Sequence, residues 1–119
     1  MMMTSYIALD LETTGLESKT EKITEAAALK VIDGTVRERF VTLINPGRPI
    51  SEKITQLTGI TDEMVRTAPL MENVIGELLA FCEGLPLLGH NILFDYRFLK
   101  QAAVNSWLEC EFEAVDTLT

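Results

Sequence analysis

Asp10 and Glu12 are one residue apart in an apolar run, Tyr6-Ile7-Ala8-Leu9-Asp10-Leu11-Glu12, that ends in Thr13-Thr14-Gly15. Side chains alternate along a strand, so Tyr6, Ala8, Asp10 and Glu12 share one side while Ile7, Leu9 and Leu11 share the other, with same-side neighbours about 6.5–7 Å apart. Two like charges held side by side in an apolar strand repel and lose hydration, unless a cation neutralises them or one keeps a proton. Hard carboxylate oxygens at this spacing suit Mg²⁺ or Mn²⁺. The bland alternative is an edge strand whose polar side lies in water. Thr13, Thr14 and Gly15 weigh against it, because glycine permits a turn that other residues resist and two hydroxyls beside bare N–H groups offer donors for a phosphate or sugar.

A third carboxylate lies far along the chain. Leu85-Pro86-Leu87-Leu88-Gly89 reads as a short buried central strand leading through His90-Asn91 into a helix from about Ile92 to Val104, with Ile92, Tyr96, Leu99 and Ala103 on its buried side. Asn91 and Asp95 are four apart, which predicts one above the other on a single helical face, at the end where the macrodipole favours negative groups. A carboxylate placed there is able to face a metal.

The elements that must position these groups follow in order. A polar loop, Glu17 to Lys22, precedes a second strand at Ile23–Ile32; Asp33-Gly34 is a hairpin signal, and Thr35–Ile44 is a third strand, antiparallel to the second. Asn45-Pro46-Gly47-Arg48-Pro49 ends the sheet, since proline lacks the ladder donor. Ser51 is placed to cap a short helix, Glu52 to Leu57, closed at Thr58-Gly59, and Thr61 to cap a turn over Asp62–Arg66. From about Leu70 to Gly84 a longer helix is expected, with Met71, Val74, Ile75, Leu78, Leu79 and Cys82 recurring at helical spacing as a packing stripe. A last strand is expected over Glu111–Leu118.

The 119 residues suit one domain, and 47% hydrophobic content supplies a core. Ten basic against eighteen acidic residues give a net charge of −8, which argues against a protein that coats nucleic acid by neutralising phosphates, although not against one that grips a strand end through metal ions. The start has no basic segment and its apolar run is broken by Asp10, so neither a signal peptide nor a membrane span is expected, and the chain reads as cytoplasmic. Cys82 and Cys110, reduced, fit that compartment; with a single histidine and no C-x-x-C spacing they make no zinc site.

Asp10-Leu11-Glu12-Thr13-Thr14-Gly15 on a first strand and His90-Asn91-Ile92-Leu93-Phe94-Asp95 at a helix start resemble the first two motifs of the DEDD-type 3′–5′ exonucleases. Within that family they are most similar to the proofreading exonucleases of bacterial DNA polymerase III, both the separate epsilon subunit and the domain embedded in the Gram-positive-type polymerase chain. Leu57-Thr58-Gly59-Ile60-Thr61 and Asp116-Thr117-Leu118 continue the pattern in order, so the resemblance spans nearly the whole chain. It implies an α/β, RNase H-like fold: a mixed sheet beginning with an antiparallel three-strand meander, helices on its faces. It also implies two divalent ions, Mg²⁺ or Mn²⁺, about 3.5–4 Å apart, that generate a hydroxide nucleophile and stabilise the leaving 3′ oxygen.

On the resemblance, Asp10, Glu12 and Asp95 are the catalytic metal ligands. Thr13, Thr14, Gly15 and Leu16 cradle the terminal nucleotide, and Asn91 and Phe94 position the strand, Phe94 being the candidate for stacking on a base. The implied substrate is a single-stranded DNA 3′ end and the implied partners are DNA polymerase III components. An RNA-trimming exonuclease of the same superfamily and a catalytically silent polymerase-binding module are the alternatives. The family's last motif, in the commoner subclass a histidine general base followed five residues later by a metal-binding aspartate, is missing: His90 belongs to the second motif, as a substrate contact or a structural imidazole. The expectation is therefore a single exonuclease domain, 1–119, that stops before its last motif, binds metal poorly and cleaves weakly or not at all.

Overall fold

A computed structural model describes residues 4–117. Strands β1 (Tyr6–Thr13), β2 (Ile23–Ile32) and β3 (Thr35–Leu43) are followed by helices α1 (Glu52–Thr58), α2 (Asp62–Val65) and α3 (Ile75–Cys82), and then by strand β4 (Leu87–Gly89), helix α4 (Ile92–Asn105) and strand β5 (Ala114–Asp116). The strands form one mixed sheet in the order β3-β2-β1-β4-β5, with β1 central. β1, β2 and β3 are the expected antiparallel meander, and β4 and β5 join parallel to it. Asp33 and Gly34 make the β2–β3 turn with φ of 50° and 79°, the pair of positive angles that a tight hairpin with the twist of its strands requires.

Ile7, Leu9 and Leu11 are buried and pack with Ile75, Leu78 and Cys82 of α3 and Ile92, Phe98 and Leu99 of α4. Each such side chain contributes about 1.5–3 kcal/mol on burial, which fixes which side of β1 faces inward. Asp10 is exposed and Glu12 half-buried on the opposite side, as the alternation predicts. A one-residue slip would place both carboxylates in the core. A smaller cluster of Ile50, Ile60 and Val65 holds α1 and α2. Ser51 Oγ accepts the Ile54 N–H at 3.2 Å, Thr61 Oγ1 accepts the Met64 N–H at 3.2 Å, and Gly59 closes α1 at φ 77°.

Three expected elements come out shorter. The helix expected from Leu70 opens as a 3₁₀ turn, Met71–Asn73, and becomes α-helical only at Ile75. Leu70 is held extended by a bridge to Asn45, whose N–H donates to the Pro69 carbonyl at 2.9 Å, so the chain enters the turn too tightly to start an α-helix. The apolar stripe survives, with Val74, Ile75, Leu78 and Cys82 buried. The run 85–89 is a strand only over Leu87–Gly89, and the last strand covers Ala114–Asp116; Leu118 and Thr119 lie outside the described residues. Before β5 the chain is tied to α4, because the Tyr96 hydroxyl accepts the Phe112 N–H at 3.1 Å and donates to the Cys110 carbonyl at 3.4 Å. Tyr96 is accordingly half-buried, and Phe98 fills the core in its place.

Gly89 is the closest approach in the centre of the fold. A Cβ there would lie 2.7 Å from the Leu9 carbonyl oxygen and 3.1 Å from Ile92 Cδ1. Backbone at the middle of a sheet has little room to retreat, so Gly89→Ala is expected to cost about 1–3 kcal/mol, read from the urea midpoint.

Candidate active site

β4 pairs with β1 only at Ile7 and Ala8, so β1 runs on past the end of its neighbour. The remainder of β1 therefore borders a notch where the chain leaves β4 and turns into α4. Asn91 makes that turn in the left-handed conformation, φ 57° and ψ 46°. Its N–H donates to Asp116 Oδ1 at 3.1 Å, and the Thr117 N–H donates to the Gly89 carbonyl at 3.0 Å, so the end of β5 fixes where α4 begins.

Asp95 lies in the first turn of α4 and is only 4% exposed. Burial pushes its carboxyl up to about 7; the negative charge of Asp10 adds to the rise, a hydrogen bond from the Leu11 backbone N–H opposes it, and Glu12 adds a smaller push. Leu11 is on β1, so this carboxylate from α4 sits against the strand that carries Asp10 and Glu12. Glu12 is itself raised, first by burial, then by Asp10, then by Glu25. Groups separated by more than eighty positions in sequence thus share one electrostatic neighbourhood. Among the described residues no three acidic, histidine or cysteine side chains close into a ready metal cage. The donor set nevertheless fits a hard divalent cation: three mutually repelling carboxylates, two of them, Glu12 and Asp95, partly desolvated, with a protonated Asp95 as the alternative means of relief.

Glu25 was not expected here. It stands directly opposite Glu12 in the β1–β2 register, and both point to the same side. The pairing Asp10↔Ala27 and Glu12↔Glu25 is set across a loop, 14–22, with a register shift between Glu12 and Thr13, so no local signal in the sequence could have found it.

The remaining site residues divide. Thr13 is buried and its hydroxyl donates to the Gly15 carbonyl at 2.7 Å; the Thr14 hydroxyl donates to Glu21 Oε1 at 2.7 Å and accepts the Lys22 N–H at 2.9 Å. Both hydroxyls thus brace the turn from within. Leu16, at its tip, is 86% exposed. Asn91 is a correction: as the left-handed residue before the helix it does not stack above Asp95 on a helical face, because its backbone is outside the helix. His90 is exposed beside it, which is not the environment of a buried structural imidazole. Phe94 is half-buried with one side on Phe98, ring centroids 5.0 Å apart at 47°. No helix is long and apolar enough to cross a membrane among the described residues.

A profile of the family described as Exonuclease matches residues 7–116. The DNA polymerase III PolC-type of Caldanaerobacter subterraneus subsp. tengcongensis is 41% identical over 113 residues, covering 95% of this chain and 8% of that protein. The corresponding figures for Thermotoga maritima are 42% over 96 residues, 81% and 7%, and for Halalkalibacterium halodurans 37% over 119 residues, 99% and 8%. The chain therefore spans less than a tenth of these polymerases. Among solved structures, apo exonuclease I superposes with a TM-score of 0.82 at 16% identity, over 98% of this chain and 30% of that one. E. coli exonuclease I in complex with a dA16 oligonucleotide gives 0.82 at 17% identity, over 98% and 28%, a likeness that concerns the fold. The family profile runs from the strand that carries Asp10 and Glu12 to the end of β5, and on that span the chain belongs to the exonuclease family, with an RNase H-like fold.

Proposed function

We propose that the chain is the catalytic domain of a 3′–5′ exonuclease that removes nucleoside monophosphates from single-stranded DNA ends, proofreading for a DNA polymerase III of the PolC type. The observation that carries this is the coupling of Asp95 on α4 with Asp10 and Glu12 on β1. Asp10, Glu12 and Asp95 would hold two divalent cations, Mg²⁺ or Mn²⁺. Such ions, when bound, lower the pKa of a water and stabilise the leaving 3′ oxygen. The chain's own part is to keep three carboxylates at one notch, to exclude water from Asp95 by burying it between α4 and β1, and to seat the terminal nucleotide. Leu16, standing out from the Thr13–Gly15 turn, and the open side of Phe94 offer apolar surface to bases, and stacking of this kind is tolerant of sequence. His90 and Asn91 lie at the start of α4 within reach of a strand that enters the notch.

His90, the one imidazole of the sequence, precedes α4, where it would contact the substrate rather than act as a general base. Single-stranded DNA and RNA of equal sequence, labelled at the 5′ end and incubated with Mn²⁺, test the assignment. A ladder shortening from the 3′ end on DNA is expected. A ladder on RNA alone would favour the RNA-trimming reading, since no residue is identified as reading a 2′-hydroxyl. Failure of any cleavage in a polymerase that carries this domain, with DNA binding intact, would favour the silent binding module.

A further inference from the structure

The turn at Thr13–Leu16 owes its shape to a side chain that no part of the carboxylate chemistry uses. Glu21 Oε1 accepts the Thr14 hydroxyl at 2.7 Å, while the Thr14 oxygen accepts the Lys22 N–H at 2.9 Å and the Thr14 N–H donates to the Lys22 carbonyl at 2.8 Å. The stem of Glu21 covers Gly15 so closely that a Cβ there would stand 2.7 Å from its Cδ and 2.8 Å from its Cγ. The same Oε1 faces Arg48 Nη1 at 3.4 Å, in the loop between β3 and α1. Glu21 is thus the point where the nucleotide-side turn, the start of β2 and the Asn45–Pro49 loop are tied together. Glu21 does not figure among the groups that raise Asp95 or Glu12, so its influence on the site is mechanical.

We propose that Glu21 is a positioning residue for the terminal nucleotide: it holds the Thr14-Gly15 backbone and the exposed Leu16 in the one arrangement that receives a 3′ end. This rests on the reading of residues 13–16 as the cradle for that end. Gly15 then has a stated role, since a side chain there would displace the Glu21 stem. Arg48 holds the carboxylate from its far side, which makes the Asn45–Pro49 loop part of the same support.

The test is binding of a fluorescent oligothymidylate with a free 3′-hydroxyl, against a closed circle of the same length, with Ca²⁺ present and anisotropy as readout. The parent should prefer the linear strand. Glu21→Ala should lose that preference by about tenfold, with the unfolding midpoint little changed, and Glu21→Gln, which keeps an acceptor for Thr14 and Arg48, should return to within about twofold. Gly15→Ala should lose about as much as Glu21→Ala in the parent and nothing further in the Glu21→Ala background, the non-additivity expected of two residues that share one contact. A parent that binds circle and line alike overturns the cradle reading, and this proposal with it. A parent with end preference that Glu21→Ala retains, or a loss that Glu21→Gln fails to restore, overturns the role of Glu21 alone.

Discussion

In a polymerase that carries this domain, an Asp10→Ala variant is expected to lose about 10³-fold or more of turnover while keeping its fold, because on the proposed reading Asp10 would hold the metal ions whose contribution to phosphoryl transfer is several kcal/mol. Asp10 is exposed, on the side of β1 away from Ile7, Leu9 and Leu11, so its removal opens no cavity. It is also the leading charge that raises Asp95 and Glu12, so its loss relieves repulsion at both. The unfolding midpoint should therefore stay level or rise as activity disappears. Turnover with Mg²⁺ or Mn²⁺ near the parental rate would remove Asp10 from the reaction, and a collapse of the midpoint would mean that its role is in the fold.

The strand that carries this residue was the most legible part of the chain. Ile7, Leu9 and Leu11 alternate with Ala8, Asp10 and Glu12, and burial of three large side chains leaves only one orientation. Asp33-Gly34 and the caps at Ser51 and Thr61 were equally readable, because each is a local hydrogen-bonding or φ requirement met within four residues. What stayed hidden depends on partners distant in sequence. Asn91 is left-handed because Asp116, twenty-five residues on, takes its N–H. The helix after Leu70 tightens because Asn45 holds the residue before it. The hydroxyls of Thr13 and Thr14 read as free donors, and they turn inward because Gly15 and Glu21 present acceptors that only the folded loop brings near. Glu25 faces Glu12 through a register that no single strand announces. Local rules thus placed each carboxylate on its element, and long-range pairing decided which neighbours it has.

Asp95 should make the metal-free protein less stable as pH rises, and Asp95→Asn should abolish that loss. Its folded value, about 7, lies above the ordinary 3.8 of an aspartate. Between those values the unfolded chain has released the proton and the folded chain still holds it, so stability falls as pH climbs through roughly 4 to 7 and levels off above. At about 1.4 kcal/mol per pH unit the upper bound on the loss is about 4 kcal/mol, a large fraction of what a small domain has. Glu12, also raised, adds in the same direction. In Asp95→Asn the amide oxygen still accepts from Leu11 and no charge needs burying, so the variant should exceed the parent by a few kcal/mol at pH 8 and match it near pH 4. Urea midpoints from pH 4 to 8 in a chelator, taken as the difference between the two proteins, cancel the other carboxylates. Mn²⁺ at pH 8 should restore part of the loss in the parent and none in Asp95→Asn, since a ligand bound only by the folded state stabilises it by mass action. A flat difference curve would mean that Asp95 is ionised and solvated without cost, and then nothing in the notch would call for a cation. The buried carboxylate is in this sense a stability defect retained at the point where the chemistry needs charge.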